Sequence, residues 1–162
     1  ADVRLVTPQG ETRTAAASEM EFGYDTSRLQ RTREILLWAE FKAATGEPEA
    51  LRAVARASLA HRKTTQPLET PSAGCIFQNP DPAREAIPEG MPPSAGALVD
   101  RAGLKGSRLG GARVSDTHAN FIVNDGGATA ADIRALIERC KRGVRDRFGV
   151  ALREEIVYLG EF

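Results

Sequence analysis

The pattern over residues 130 to 148 constrains this chain most. Ile133, Leu136, Ile137, Cys140, Val144 and Phe148 recur at the three- and four-residue spacing that puts side chains on one face of a helix. Thr129 is placed to cap the first turn, with Asp132 three residues on as an approximate capping box. Gly149 is placed to end the helix, because glycine adopts a left-handed conformation without a Cβ clash. A helix with one long apolar stripe has to bury it against another element. Two short apolar runs just upstream, 112–115 and 119–124, read as strands, and Asp125-Gly126-Gly127 reads as the turn that follows them.

The rest of the chain is also mixed. Residues 2–14 predict a hairpin with Pro8-Gln9-Gly10 at its turn. Residues 33–43 predict a strand, with Ile35, Leu37, Ala39, Phe41 and Ala43 on one face and Trp38, Glu40 and Lys42 on the other. Residues 48–63 predict a helix opened by Pro48, its buried stripe made of Leu51, Val54, Ala55 and Leu59. Thr, Gln, Pro and Ser dominate 64–73, the best candidate for a linker. The proline-rich stretch 81–94 is expected to be irregular. A short helix is expected at 95–102, with Gly103 past its end, and a strand at 155–159. The fold class is α+β. The linker divides the chain near residue 70, into a first part, 1–70, and a compact second part from about residue 71.

The chain has 162 residues, with 22 Lys plus Arg against 22 Asp plus Glu, so it carries no net charge and no excess to neutralise nucleic-acid phosphates. No apolar run approaches the roughly 20 residues of a membrane helix, and no signal-peptide pattern opens the chain at Ala1. Cys75 and Cys140 do not form a disulfide framework and are expected to be reduced, as in a cytoplasm. His61 and His118 stand in no zinc-binding spacing, so no metal site is expected.

The chemistry centres on Gly74-Cys75-Ile76-Phe77-Gln78-Asn79-Pro80, which puts an ionisable side chain in a Gly-flanked turn. On its own, Cys75 reads more readily as a small buried hydrophobe. The segment lies in an ordered series: Tyr24 to Ser27, Gln66-Pro67, the Cys75 turn, Ala95 to Asp100, Leu104-Lys105-Gly106, His118 to Asn124, and Glu155 to Gly160. In order and spacing this series resembles the C-terminal half of the UDP-N-acetylenolpyruvoylglucosamine reductase family.

That resemblance implies a flavoenzyme of peptidoglycan precursor synthesis. Its FAD, reduced by NADPH, passes a hydride to UDP-N-acetylglucosamine enolpyruvate. Cys75 stands where the family usually has a serine that protonates the substrate, and a thiol is the stronger acid. Glu155 corresponds to the C-terminal catalytic glutamate, in preference to Glu154, which alternates to the other side if the segment is a strand. Asn79, Lys105 and His118 correspond to substrate contacts, with solvated or self-satisfied roles as the plain alternatives. Tyr24 begins a Tyr-Arg-x-Ser pattern whose arginine is Asp25 here; Arg28 is the nearest candidate to replace it.

The resemblance further implies that residues 1–70 end a FAD-binding domain, that 71–150 bind substrate, and that 151–162 pack on an N-terminal half outside this sequence. No Gly-x-Gly-x-x-Gly loop is present to hold a flavin diphosphate. With Asp25, this keeps open a second reading, a UDP-sugar-binding module without catalysis.

Overall fold

The computed structural model describes residues 2–160. Its contacts divide the chain into two compact units, Ala1–Leu51 and Arg52–Phe162, with the break inside a helix.

The first unit is built on an antiparallel hairpin, β1 (Asp2–Val6) and β2 (Thr12–Ala16), with β3 (Ile35–Ala39) on the other edge of β1. Gly10, at φ 86°, closes the expected turn. Val3, Leu5, Ala15 and Met20 form its small core. The chain between β2 and β3 passes through a 3₁₀ turn, Ala17–Met20, and a one-turn helix α1, Leu29–Thr32. Glu34 ties this region together, accepting from Arg13 Nε and Arg28 Nε at 3.0 Å each and from Thr32 Oγ1 at 2.8 Å.

The second unit carries a four-stranded antiparallel sheet in the order β4-β7-β6-β5: β4 Ser72–Cys75, β5 Arg108–Leu109, β6 Ala112–Val114 and β7 Phe121–Asn124. Helices α3 (Ala95–Arg101) and α4 (Ala130–Phe148) pack with it. The core between them holds Leu98, Val99, Val114, Ile122, Leu136, Ile137 and Val144, all essentially inaccessible to solvent. Helix α4 has the expected bounds. The Thr129 hydroxyl accepts from Asp132 N, the Asp132 carboxylate accepts from Thr129 N, and Gly149 ends the helix at φ 72°.

Several expectations are corrected. The helix predicted at 48–63, here α2 (Pro48–Thr65), exists, but Leu51, Val54, Ala55 and Leu59 are exposed, and the helix buries no residue. The strand predicted at 33–43 is confined to 35–39, and Ile35, Leu36, Leu37 and Trp38 are all exposed. Spacing finds the period of an element; whether a stripe is covered depends on what lies over it. The two-residue β5 was not foreseen.

No strand forms at 155–159; only Glu154 makes a bridge, to Phe77. Continuing that antiparallel pairing would bring the tail onto Gly74, whose φ of 84° and the register shift in β4 bend the edge out of line. Residues 161 and 162 of the expected closing segment lie outside the described residues.

Candidate active site

Cys75 ends β4 opposite Phe121 of β7. The chain beyond it is clamped on one side by Asn120. Ile76 N donates to Asn120 O at 2.8 Å, Phe77 N donates to Asn120 Oδ1 at 2.9 Å, and Asn120 Nδ2 donates to Phe77 O at 2.8 Å. Asn120 is 4% exposed, so its amide replaces a missing stretch of strand ladder inside the protein. On the other side the same residues pair with the C-terminal segment. Gln78 N donates to Arg153 O at 2.9 Å and Glu155 N to Ile76 O at 2.8 Å.

This pairing carries Glu155 to the neighbourhood of Cys75, although the two are far apart in sequence. Both line an open cavity of about 670 Å³, with Arg62, Gln66, Ser72 and Phe121 among its other walls. Cys75 is half-buried and Glu155 exposed. Glu154 turns the other way, to Lys141 of α4 at 2.8 Å. The segment Gln66–Thr70 walls a second cavity of about 660 Å³ as well, shared with Lys63, Arg113, Ser115 and Asp116.

Asn79, Lys105 and His118 surround the start and end of α3 rather than the Cys75 cavity. Asn79 Oδ1 accepts from Ala95 N at 3.0 Å, beside the Ser94 cap, leaving its Nδ2 as a donor. Lys105 Nζ lies 3.2 Å from Asp100 Oδ2 on the surface. His118 sits on a loop shaped by the buried Ser115, whose hydroxyl accepts from Thr117 N and His118 N.

The His118 ring meets Phe121 edge-on at 5.2 Å and lies against Gly96 of α3, where a Cβ would come within 2.9 Å of Cε1. Its Nδ1 accepts from Asn120 N at 3.2 Å, which puts the proton of the neutral ring on Nε2. Burial, then the charge of Lys105, lower the His118 pKa. In its neutral form the ring is an Nε2–H donor.

Tyr24 and Arg28 belong to the first unit. Tyr24 is 62% exposed in a tight turn closed by Gly23 and Thr26, with Asp25 at φ 50°. Arg28 is engaged by Glu34.

The sequence reading missed Asn120, whose place among apolar residues looked like part of a strand, and Lys141, which lay on a helix face with other charges. An amide inside the apolar run from Ala119 to Val123 was the signal that could have exposed the first.

The glycine pairs offer no diphosphate cradle. A Cβ on Gly111 would meet Gly126 O at 2.3 Å, and one on Gly110 would meet the Asp132 carboxylate at 2.5 Å, so backbone and an anion already fill those turns. Neither of those two turns fits a flavin diphosphate. Among the described residues no His/Cys/Asp/Glu group is arranged to hold a metal, and no helix is long and apolar enough to cross a membrane.

The second unit is an α+β domain in which the 76–78 and 153–155 segments pair, and comparison with known proteins gives the family. Residues 66–159 match the family model "UDP-N-acetylenolpyruvoylglucosamine reductase, C-terminal domain", and the chain belongs to that family. It is 42% identical over 159 residues to the UDP-N-acetylenolpyruvoylglucosamine reductase of Heliobacterium modesticaldum, covering 98% of this chain and 48% of the relative. It is 43% identical over 143 residues to UDP-N-acetylenolpyruvoylglucosamine reductase 1 of Bacillus cereus, covering 88% and 44%. The crystal structure of the Thermus caldophilus UDP-N-acetylenolpyruvylglucosamine reductase superposes with a TM-score of 0.72 at 35% identity, over 95% of this chain and 50% of that one. The chain spans about half the length of the curated relatives it matches.

Proposed function

We propose that this chain is the substrate-protonating part of a reductase that converts UDP-N-acetylglucosamine enolpyruvate to UDP-N-acetylmuramate in the cytoplasm. The observation that carries the reading is Cys75 and Glu155 on one cavity, in a chain of this family. In this reading residues 1–70 complete a FAD-binding domain, 71–150 bind the UDP-sugar, and 151–162 pack on an N-terminal half that is the chain's principal protein partner. That half would hold FAD, which, reduced by NADPH, would supply the hydride.

The residues of this chain act on the substrate. The Cys75 thiol gives its proton to the enolpyruvyl carbon left carbanionic once the hydride has added to the other alkene carbon. Glu155, across the pairing, holds the enol ether in position as negative charge develops there. Asn79 Nδ2 and the His118 Nε2–H are donors for polar groups of the nucleotide-sugar, and Lys105 is a compact positive charge for its diphosphate. By the family pattern alone, Tyr24 and Arg28 of the first unit are the residues we assign to the substrate carboxylate.

The test joins this chain to its N-terminal half and measures two half-reactions by rapid mixing. Flavin reduction by NADPH should be unchanged in Cys75→Ala, whereas reoxidation by substrate should slow by about 10²–10⁴-fold, with Cys75→Ser retaining much of the rate. No substrate-dependent reoxidation in the unsubstituted protein would overturn the reading.

A further inference from the structure

Glu155 is set by its neighbours rather than by its own element, since no strand continues beyond Glu154. The segment is anchored before it by Leu152, 6% exposed, and after it by the partly buried Ile156, beyond which Val157 and Leu159 are 89% and 92% exposed. Between these anchors a side-chain cluster reaches up from α4. Lys141 Nζ lies 2.8 Å from Glu154 Oε1 and 2.9 Å from Glu138 Oε1. The side chains of Lys141 and Glu154 are only 26% and 19% exposed. The Tyr158 hydroxyl hydrogen-bonds the same Glu154 carboxylate, and the Arg134 guanidinium sits 5.7 Å over the Tyr158 ring.

Arg134, Glu138 and Lys141 share one face of α4, four and three residues apart. That helix is the best-anchored element of the unit, capped at both ends and buried along Leu136, Ile137, Cys140 and Val144. The ion pair therefore ties a short, singly bridged segment to a rigid support.

We propose that Lys141 is a positioning residue: by holding Glu154 against α4 it fixes the 153–155 pairing and keeps Glu155 turned toward the Cys75 cavity. The geometry is direct. Adjacent side chains of an extended segment point to opposite sides, so clamping Glu154 on one side sets where Glu155 goes on the other. Removing the Lys141 charge does more than lose a bond. It leaves Glu138 and Glu154 facing each other with only the more distant Arg134 as a cation, and like charges repel. The inference rests on the proposed role of Glu155, and the experiment separates the two.

In the full chain, amide hydrogen exchange is followed at Glu155 and Gln78, the two donors of the pairing. Lys141→Met, which keeps the aliphatic stem, should speed both by roughly fivefold or more, a modest figure for an ion pair only partly exposed. Ile137 and Cys140 within α4 should be unaffected, which excludes general unfolding. Lys141→Arg should restore protection. Glu154→Gln, which removes the partner's charge without the lysine, should reproduce the loosening if Lys141→Met folds poorly. Unchanged exchange at Glu155 in both Lys141→Met and Glu154→Gln overturns the proposal.

With the N-terminal half joined, Lys141→Met should slow substrate turnover severalfold at nearly constant KM and leave flavin reduction by NADPH alone. If Glu155→Gln abolishes turnover but a loosened Lys141→Met does not slow it, the positioning role fails while the proposed function stands. If Glu155→Gln itself has no effect, the proposed role of Glu155 fails and the positioning role fails with it.

Discussion

Replacing Asn120 by alanine removes the clamp that holds the Cys75 turn, and its cost follows from the structure. Two hydrogen bonds are lost, at 2.9 and 2.8 Å, both to Phe77, which is 1% exposed. The Phe77 N–H and C=O would be left buried with the groups that answered them gone, and each orphaned group costs about 1–3 kcal/mol. A water entering the space of the deleted amide recovers part of this. The expected destabilisation is about 3 kcal/mol, which for a unit of this size lowers Tm by about 12 °C.

The assay is thermal and urea unfolding followed by circular dichroism, with near-ultraviolet signal to detect loosening around the site. Asn120→Asp sharpens the test. It keeps the acceptor for Phe77 N–H and loses the donor to Phe77 O while ionised. A buried carboxylate without a cation takes up a proton more readily than usual. The folded state then binds more protons than the unfolded state, so the stability of Asn120→Asp should recover as pH falls. A loss below about 1 kcal/mol for Asn120→Ala would mean that the bonds add nothing beyond those made in water, and the clamp argument would be wrong.

Other outcomes follow from the same geometry. His118 should titrate below the ordinary histidine value of 6.5 in a ring-proton NMR titration, and Lys105→Gln should move it upward, the smaller part of the shift, because burial ranks first. With a depressed folded pKa, the unfolded chain binds the extra proton, so His118 costs stability as pH drops below 6.5 and the loss levels off below the folded pKa; a titration at or above 6.5 contradicts this. Burial pushes the Cys140 thiol up to about 11. In a Cys75→Ser background, its alkylation at pH 8 should be roughly 10²-fold slower folded than in urea, since only the thiolate reacts, and comparable rates would refute its burial.

Sequence periodicity was sufficient wherever an element satisfies itself locally. Helix α4 could be read to the residue, because its stripe, the Thr129–Asp132 box and Gly149 are all set by neighbours within a turn. The hairpin and α3 were legible for the same reason. The resemblance to the reductase family was legible too, since it is carried by the order of short motifs.

What the sequence could not decide was which surfaces meet. The stripe of α2 has correct helical spacing and stays exposed, because period says nothing about a covering partner. The tail after Glu155 has the composition of a strand and forms none, because the backbone at Gly74 turns the adjoining edge of β4 away. The site itself belongs to this second kind. Cys75 and Glu155 share a cavity only because Asn120 holds one side of the 76–77 backbone and the 153–155 segment takes the other. Those are non-local hydrogen bonds, and their geometry exists only once the sheet and α4 have packed.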